Sequence, residues 1–533
     1  MKEQIKALSK ETLIYGASTV IGRFLNFLLV PFYVNVLDPA MYGVSASMYT
    51  YMSFFNIIYT MGLEAAYFRY ASRGDDEKRS TEEERKLFSG PFLFVLLFGG
   101  LLSIVIAMLA PALVWPAFHD PKIDISPWVP EFTRILRISA IIILFDSLNV
   151  IPFAALRIDR RAKWFGVIRL TGIVLTLSLN LVFVVGLHKG VDGIFVANLI
   201  ASATMLAMLG PTIARRFEFR ISWPTMKKLF PFALTNVPAY LSAMMVQVID
   251  RPIVQAFLGL AMLGIYQANY RMGIIMMVFV SLFEYAWRPF FLRESRTDDK
   301  RARQIFSRVF TYFMVVACMG FLVLVLFLPD LLVLRLPFIH HAIWKKEYLS
   351  GINIIPVVLA AYIFQGMYTN FIAGIYIKEH NKVLPFVTGL GATVNIVTNI
   401  ILIPTMGIMG AALATLFAYM AMAGALYSQS QKVYFIQYDW RRVGFVALLV
   451  VLGFFIDFYL VSPSLAAAER VLIKCALLLG IMLILFLTGF FSKGEIEALR
   501  SLIRIPRSRI IGTPKEALLP EPLEASAERR EGQ

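Results

Sequence analysis

Runs of about 20 apolar residues, the length that crosses a hydrocarbon core as a helix, recur fourteen times along this 533-residue chain. They lie at 11–35, 42–70, 88–115, 133–155, 164–186, 190–213, 227–257, 262–290, 305–334, 350–377, 382–404, 407–428, 441–461 and 470–491. Inside lipid a segment has to satisfy its own backbone N–H and C=O groups, which leaves the helix as the solution for runs this long. The expected fold class is an all-α polytopic membrane protein with about 14 transmembrane helices. The stretch MKEQIKALSKETLIYG reads as a short interfacial amphipathic helix entering the first span, with no cleavable signal peptide.

The formal net charge of +16 raises the question of nucleic acid. The placement of the charges answers it. Lys and Arg cluster in alternate loops: Arg157, Arg160, Arg161 and Lys163; Arg215, Arg216, Arg220, Lys227 and Lys228; Arg293, Arg296, Lys300, Arg301, Arg303 and Arg308; and the C-terminal tail. The intervening loops hold few, among them Lys122, Lys189, Arg335, Lys345 and Lys346. That alternation is the positive-inside pattern of a multi-pass protein and puts both termini in the cytoplasm. The partners it implies are membrane lipids and not nucleic acid.

Reactive chemistry is sparse. The two cysteines, Cys318 and Cys475, sit in separate apolar runs and suggest neither a disulfide nor a metal site. The five histidines fall in loops, and no phosphate-cradling G-x-x-x-x-G-K-[ST] or metal-binding H-E-x-x-H occurs. No cofactor is implied. No loop between the runs is long enough for a catalytic domain, so the chain does not read as an enzyme.

An internal repeat organises the runs. Leu37-Asp-Pro-Ala-Met-Tyr-Gly-Val44 ends the first run and Leu258-Gly-Leu-Ala-Met-Leu-Gly-Ile265 ends the seventh. GLEAAYFR (62–69) is echoed by LFEYAWRP (282–289), and GIFVA (193–197) by GAALA (410–414). Six runs per repeat is an even number, so the two halves share one orientation, related by an axis along the membrane normal. The expected division is 1–213 as an N-terminal lobe (spans 1–6), 214–430 as a C-terminal lobe (spans 7–12), 431–491 as an extra helix pair and 492–533 as a largely disordered cytoplasmic tail.

Polar stripes mark four of the helices. Thr19, Gly22, Arg23 and Asn26 share a face of the first span. Asn236, Tyr240, Gln247 and Asp250 share one of the seventh, with Arg251 at its edge. Tyr49, Ser53, Asn56, Thr60 and Glu64 follow helical spacing on the second span, and Gln267, Tyr270 and Arg271 on the eighth. A guanidinium facing lipid costs about 3 kcal/mol on insertion scales, so intramembrane arginines face a wet cavity or a counter-charge. Arg is permanently charged and offers a planar fork of donors that matches phosphate oxygens. Arg23, Asn26, Gln247, Arg251, Tyr270 and Arg271 are the candidate ligands for an anionic substrate. The alternative for each arginine is a carboxylate partner that locks helices together. Glu64, Asp146, Asp250 and Glu284 are candidates for gating or ion coupling, with Arg69 and Arg288 close enough to Glu64 and Glu284 to pair.

The segments IYGASTVIGRFLNFLLVPFYVNVLDPAMYGV, MGLEAAYFRYAS, VIDRPIVQAFLGLAMLGIYQANYRMG and NIVTNIILIPTMGIMGAALAT, in that order, resemble the polysaccharide flippases of the multidrug/oligosaccharidyl-lipid/polysaccharide (MOP) exporter superfamily over about 1–490. The resemblance implies two parallel six-helix lobes in a V, plus two C-terminal helices here. It also implies alternating access, with an undecaprenyl-pyrophosphate-linked oligosaccharide moved from the inner to the outer leaflet of the bacterial cytoplasmic (inner) membrane. Expected partners are this lipid-linked oligosaccharide, a coupling H+ or Na+, and the polysaccharide polymerase and glycosyltransferases of the same pathway. A lipid II flippase or a cation-coupled multidrug exporter of the same superfamily is the alternative, and an integral-membrane glycan polymerase or ligase the further one.

Overall fold

The computed structural model describes residues 22, 24, 27–72, 80–296, 299–334, 342–461 and 465–490. Among them the chain is helical and forms no β-strand. The first helices are α1 (Val30–Val36), α2 (Pro39–Thr60) and α3 (Leu63–Ser72). Then follow α4 (Thr81–Ala117), α5 (Ser126–Ile158), α6 (Ala162–Gly186), α7 (Gly190–Arg216) and α8 (Trp223–Val248). After α9 (Asp250–Leu258) come α10 (Leu260–Glu294), α11 (Asp299–Val333), α12 (Lys346–Ile377), α13 (Asn381–Met406) and α14 (Ile408–Val433). The described chain ends with α15 (Trp440–Leu460) and α16 (Ala467–Leu487). The all-α polytopic expectation holds. Twelve helices among the described residues are long and apolar enough to cross a membrane. The expected first span lies mostly outside the described residues, as do the N-terminal helix and the tail. The expected second span corresponds to α2 and α3.

α2 falls outside the twelve because it is rich in Ser, Thr, Tyr and Asn, and it hides those polar atoms by returning them to its own backbone. Ser45 donates to the Tyr42 carbonyl at 2.7 Å and Thr50 to Ala46 at 2.9 Å, while Ser53 and Thr60 bond Tyr49 and Asn56, both at 2.8 Å. A hydroxyl bonded to a carbonyl one turn back leaves little polarity to bury. Asp38 caps the helix start by accepting the Met41 N–H at 3.0 Å, and Pro39 follows in the first turn. The helix stops at Met61 and Gly62, both left-handed with φ of 42° and 73°. Gly62 is required twice over, since a Cβ there would also lie 2.6 Å from the Ala233 carbonyl oxygen of α8.

The expected seventh span is two helices, α8 and α9, interrupted at Ile249, and the eighth, α10, contains a 3-10 turn at Arg271–Gly273. By contact the chain divides into Met1–Leu478 and Leu479–Gln533. In the first unit, the end carrying the arginine-rich turns after α5, α7 and α10 is called here the basic end. Near it, Leu63 and Tyr67 of α3, Phe88 and Phe92 of α4 and Leu148 and Ile151 of α5 form one core with Met226, Leu229 and Ala233 of α8.

α16 is attached to α11, and to α15, through charge. The buried Lys474 on α16 donates to the Leu326 carbonyl at 2.6 Å and to Asp330 at 2.7 Å, and lies 3.7 Å from Asp457 of α15. Arg470 stands 3.5 Å from the other Asp330 oxygen. Intramembrane charges persist when paired in this way.

Candidate functional site

A polar cavity of about 320 Å³ opens between α2, α5, α7 and α8. Tyr49, Ser53 and Asn56 line it from α2, Asp146 from α5, and Asn198 and Ser202 from α7, with Met244 of α8 closing one side. The expected stripe on the second span therefore does face a cavity over its first three members. Asp146 accepts the Ser202 hydroxyl at 2.5 Å and forms no ion pair among the described residues. Asn198 donates to the Tyr49 hydroxyl and to the Ile194 carbonyl, which holds the Tyr49 ring against Phe195 with centroids 5.6 Å apart. A carboxylate inside the membrane whose fixed partner is one hydroxyl is free to exchange a proton or a small cation.

Arg271 is half-exposed in the 3-10 turn of α10. Its guanidinium makes no hydrogen bond or ion pair among the described residues. It lies within electrostatic range of Tyr33, Tyr42 and Tyr49 of the first half. A half-buried guanidinium with no protein partner among the described residues has its full fork of donors available for an anion.

Arg251 is placed differently. It is 8% exposed and fully engaged. Its Nε donates to Gln267 at 2.8 Å, and its Nη1 donates to the Gln247 carbonyl at 2.5 Å and reaches Asp250 at 3.3 Å. The guanidinium lies 5.1 Å from the centre of the Tyr270 ring, and Tyr266 donates to the other Asp250 oxygen. The helix-locking alternative describes Asp250 and Arg251. The pair ties the start of α9 to α10, and Arg251 and Tyr270 are not on an open wall in this conformation. The Gln247 side chain is exposed. Arg23 and Asn26 lie outside the described residues.

The expected pairs of Glu64 with Arg69 and Glu284 with Arg288 do not form. Glu64 pairs across helices with Arg157 of α5, because α3 is a separate short helix whose first turn carries Glu64 toward α5. Arg69 instead stacks on Phe232, 4.2 Å from the ring centre. Glu284 is exposed, and Arg288 donates to Tyr376 at 2.7 Å.

At the end opposite the basic one, the two halves are sealed together. Asn35 donates to the Ile343 carbonyl at 2.9 Å, and Tyr348 to the Leu37 carbonyl at 3.1 Å. Gln255 accepts the Ser47 hydroxyl at 2.6 Å and donates to the carbonyls of Ala117 and His119, each at 3.0 Å. Asp120 takes the Leu260 N–H at 2.7 Å, which caps the start of α10 from the other half of the chain.

A family model described as "Polysaccharide biosynthesis protein" matches residues 34–337, more than half of the chain. The chain belongs to this polysaccharide biosynthesis family. Its fold is that of the MOP exporter superfamily. The lipid II flippase MurJ, in an inward closed conformation, superposes with a TM-score of 0.69 at 17% identity, covering 93% of this chain and 99% of that one. An inward-facing multidrug resistance MATE family transporter of the MOP superfamily gives 0.63 at 13% identity, over 80% and 95%. An outward-facing one gives 0.53 at 13%, over 82% and 96%. No curated protein matches the sequence significantly.

For this family member, sequence reasoning overlooked Arg169, Asn198 and Ser202. Arg169 interrupts the fifth apolar run, the same signal that picked out Arg271. It is exposed, lies 4.7 Å from the centre of the Phe153 ring and is within electrostatic range of Asp146. Asn198 and Ser202 stand one helical turn apart on α7, a spacing legible in the sixth run. The seal residues Gln255 and Asp120 gave no signal, because each acts on a backbone group of a distant segment.

Proposed function

We propose that this chain is a flippase that moves an undecaprenyl-pyrophosphate-linked oligosaccharide from the inner to the outer leaflet of the bacterial cytoplasmic membrane, by alternating access, for surface polysaccharide biosynthesis. The half-buried Arg271, unpaired among the described residues and within electrostatic range of first-half tyrosines, carries the reading. A permanent cation in that position matches the phosphate groups of a polyprenyl carrier, and the rings of Tyr49 and its neighbours suit attached sugars. Family membership favours a polysaccharide precursor over lipid II or a drug. Arg23 and Asn26 of the first span complete the site in this proposal, and Asp146 couples transport to H+ or Na+. The basic end is read as cytoplasmic, with both termini on that side, so the sealed end faces outward. The halves 1–213 and 214–430 act as the two lobes, and 431–491 as an accessory pair.

The test is complementation in a strain lacking its own copy. Arg271→Ala should lower surface polysaccharide roughly tenfold or more, the loss of one charged contact, while lipid-linked repeat units accumulate inside and the purified protein melts as wild type does. Arg271→Lys should recover part of the export, because it restores charge without the planar fork. Normal surface polysaccharide from Arg271→Ala would overturn the assignment.

A further inference from the structure

The two copies of the clearest sequence repeat touch each other. Gly43, in Pro39-Ala-Met-Tyr-Gly43 at the start of α2, and Gly264, in Leu260-Ala-Met-Leu-Gly264 at the start of α10, lie at equivalent positions of the two halves. A Cβ added to Gly43 would overlap the Leu260 carbonyl oxygen and come within 3.2 Å of the Gly264 nitrogen. A Cβ on Gly264 would overlap the Pro39 carbonyl oxygen and come within 3.0 Å of the Gly43 nitrogen. The contact is reciprocal: each glycine meets the first residue of the other helix. This is the pattern of a two-fold axis running between identical surfaces, here within one chain.

The obstruction on both sides is backbone, so no side chain can turn aside to admit a methyl group. Glycine brings the helices close enough for polar atoms beside the crossing to bond directly. The Gln255 and Asp120 contacts lie there, and Asn35 and Tyr348 add the bonds to Ile343 and Leu37. Hydrogen bonds of this kind form and break as a set when two rigid bodies part. Each donor and acceptor finds water once the gap opens, which keeps the net difference small.

We propose that the Gly43–Gly264 crossing is the outer gate: it parts once in each transport cycle, and any side chain at either position holds the gate open. The proposal rests on the alternating-access reading above and adds the residues that perform one of its steps. It also gives a physical reason for this part of the repeat to persist in both halves, since each copy is the other's binding surface.

The test uses the full chain with Cys318→Ala and Cys475→Ala, reconstituted or in membranes. The buried Ser47, 1% exposed beside the crossing, is replaced by cysteine as a reporter. A membrane-impermeant maleimide added from the outer side should label Ser47→Cys slowly with both glycines present. Labelling should be roughly tenfold faster, a 1.4 kcal/mol shift toward the open form, with Gly43→Leu or Gly264→Leu. Unchanged labelling in folded, monodisperse leucine variants overturns the proposal. A second measurement keeps both glycines, in case the leucine variants do not fold. Asn35→Cys with Ile343→Cys, bridged by a short bis-maleimide, should abolish export, and each single variant treated identically should not lose it. Full export from the bridged protein shows that the crossing is a fixed fulcrum and refutes the gate. Labelling reads the motion without any substrate. A gate that opens in a protein with no glycan phenotype leaves this inference standing and removes the proposed function, whereas export by a bridged protein does the reverse.

Discussion

Replacing Arg251 with glutamine separates a lock from a ligand, because the two roles predict opposite pairs of observables. The guanidinium meets Gln267, the Gln247 carbonyl and Asp250 in a site where Asp250 is 2% exposed. Removing the charge leaves Asp250 with the Tyr266 hydroxyl and the Arg251 N–H as donors. An unpaired buried carboxylate costs about 3–5 kcal/mol. The two lost contacts to glutamine oxygens add about 0.6 kcal/mol each, the mean for polar contacts inside a membrane. Arg251→Gln should therefore destabilise by roughly 4–6 kcal/mol. Asp250→Asn with Arg251→Gln should recover about half of it, since no buried charge is left unpaired. Thermal melting of the four proteins in one detergent, as a double-mutant cycle, measures this directly. The reasoning fails if Arg251→Gln melts with the wild type while export is lost, which is the signature of a ligand.

Lys474→Met should weaken the attachment of the accessory helices to α11. It leaves Asp330 facing Asp457 with Arg470 as the remaining cation, so protein yield and melting temperature should fall, and Asp330→Asn in the same chain should restore part of both. Asp146→Asn keeps the hydrogen bond to Ser202 but removes the exchangeable charge from the cavity. Export driven by an imposed pH or sodium gradient should lose its gradient dependence while the protein stays folded; an unaltered gradient response would remove Asp146 from coupling.

The helices were legible because lipid permits few alternatives for long apolar runs; from α4 onward each expected span overlaps an observed helix, although α4, α5 and α11 begin well before the expected starts and the seventh span is broken into α8 and α9. α2 was legible too, as a run with a polar stripe; its Ser, Thr, Tyr and Asn content keeps it outside the twelve, although its hydroxyls bond back to its own backbone. Helical spacing identified Tyr49, Ser53 and Asn56 as neighbours on one face. It could not say that Asn198 and Ser202 would be opposite them, since that depends on how α7 packs. The same limit separates Arg251 from Arg271. Both are arginines in apolar runs, and sequence treats them alike. One folds back onto the preceding aspartate because the helix breaks at Ile249, and the other is held out by a 3-10 turn. The repeat was visible as a pattern, but nothing in a linear sequence says that two copies of a motif will be each other's contact.

Alternating access requires two closures that differ by only a few kcal/mol, since otherwise one state is never populated. In the proposed cycle the two ends of this chain would reach that balance by different means. At the sealed end the helix starts touch closely at Gly43 and Gly264, Tyr42 packs edge-on against Tyr348, and the hydrogen bonds run from side chains to backbone groups, so those bonds are exchanged for bonds to water on opening. At the basic end the contact is an aromatic and aliphatic core, which would be expensive to expose to water as a whole. α8 removes that need. Its early residues Met226, Leu229 and Ala233 belong to the first-half core, while Val246 near its end packs at Gly391 of α13. Pro238 lies between those two attachments. A proline inside a helix deletes one backbone bond and makes bending there cheap. In the proposed alternating-access cycle the early turns of α8 stay in the first-half core while the later turns follow the second half, so that the basic end would open by bending one helix with the core intact.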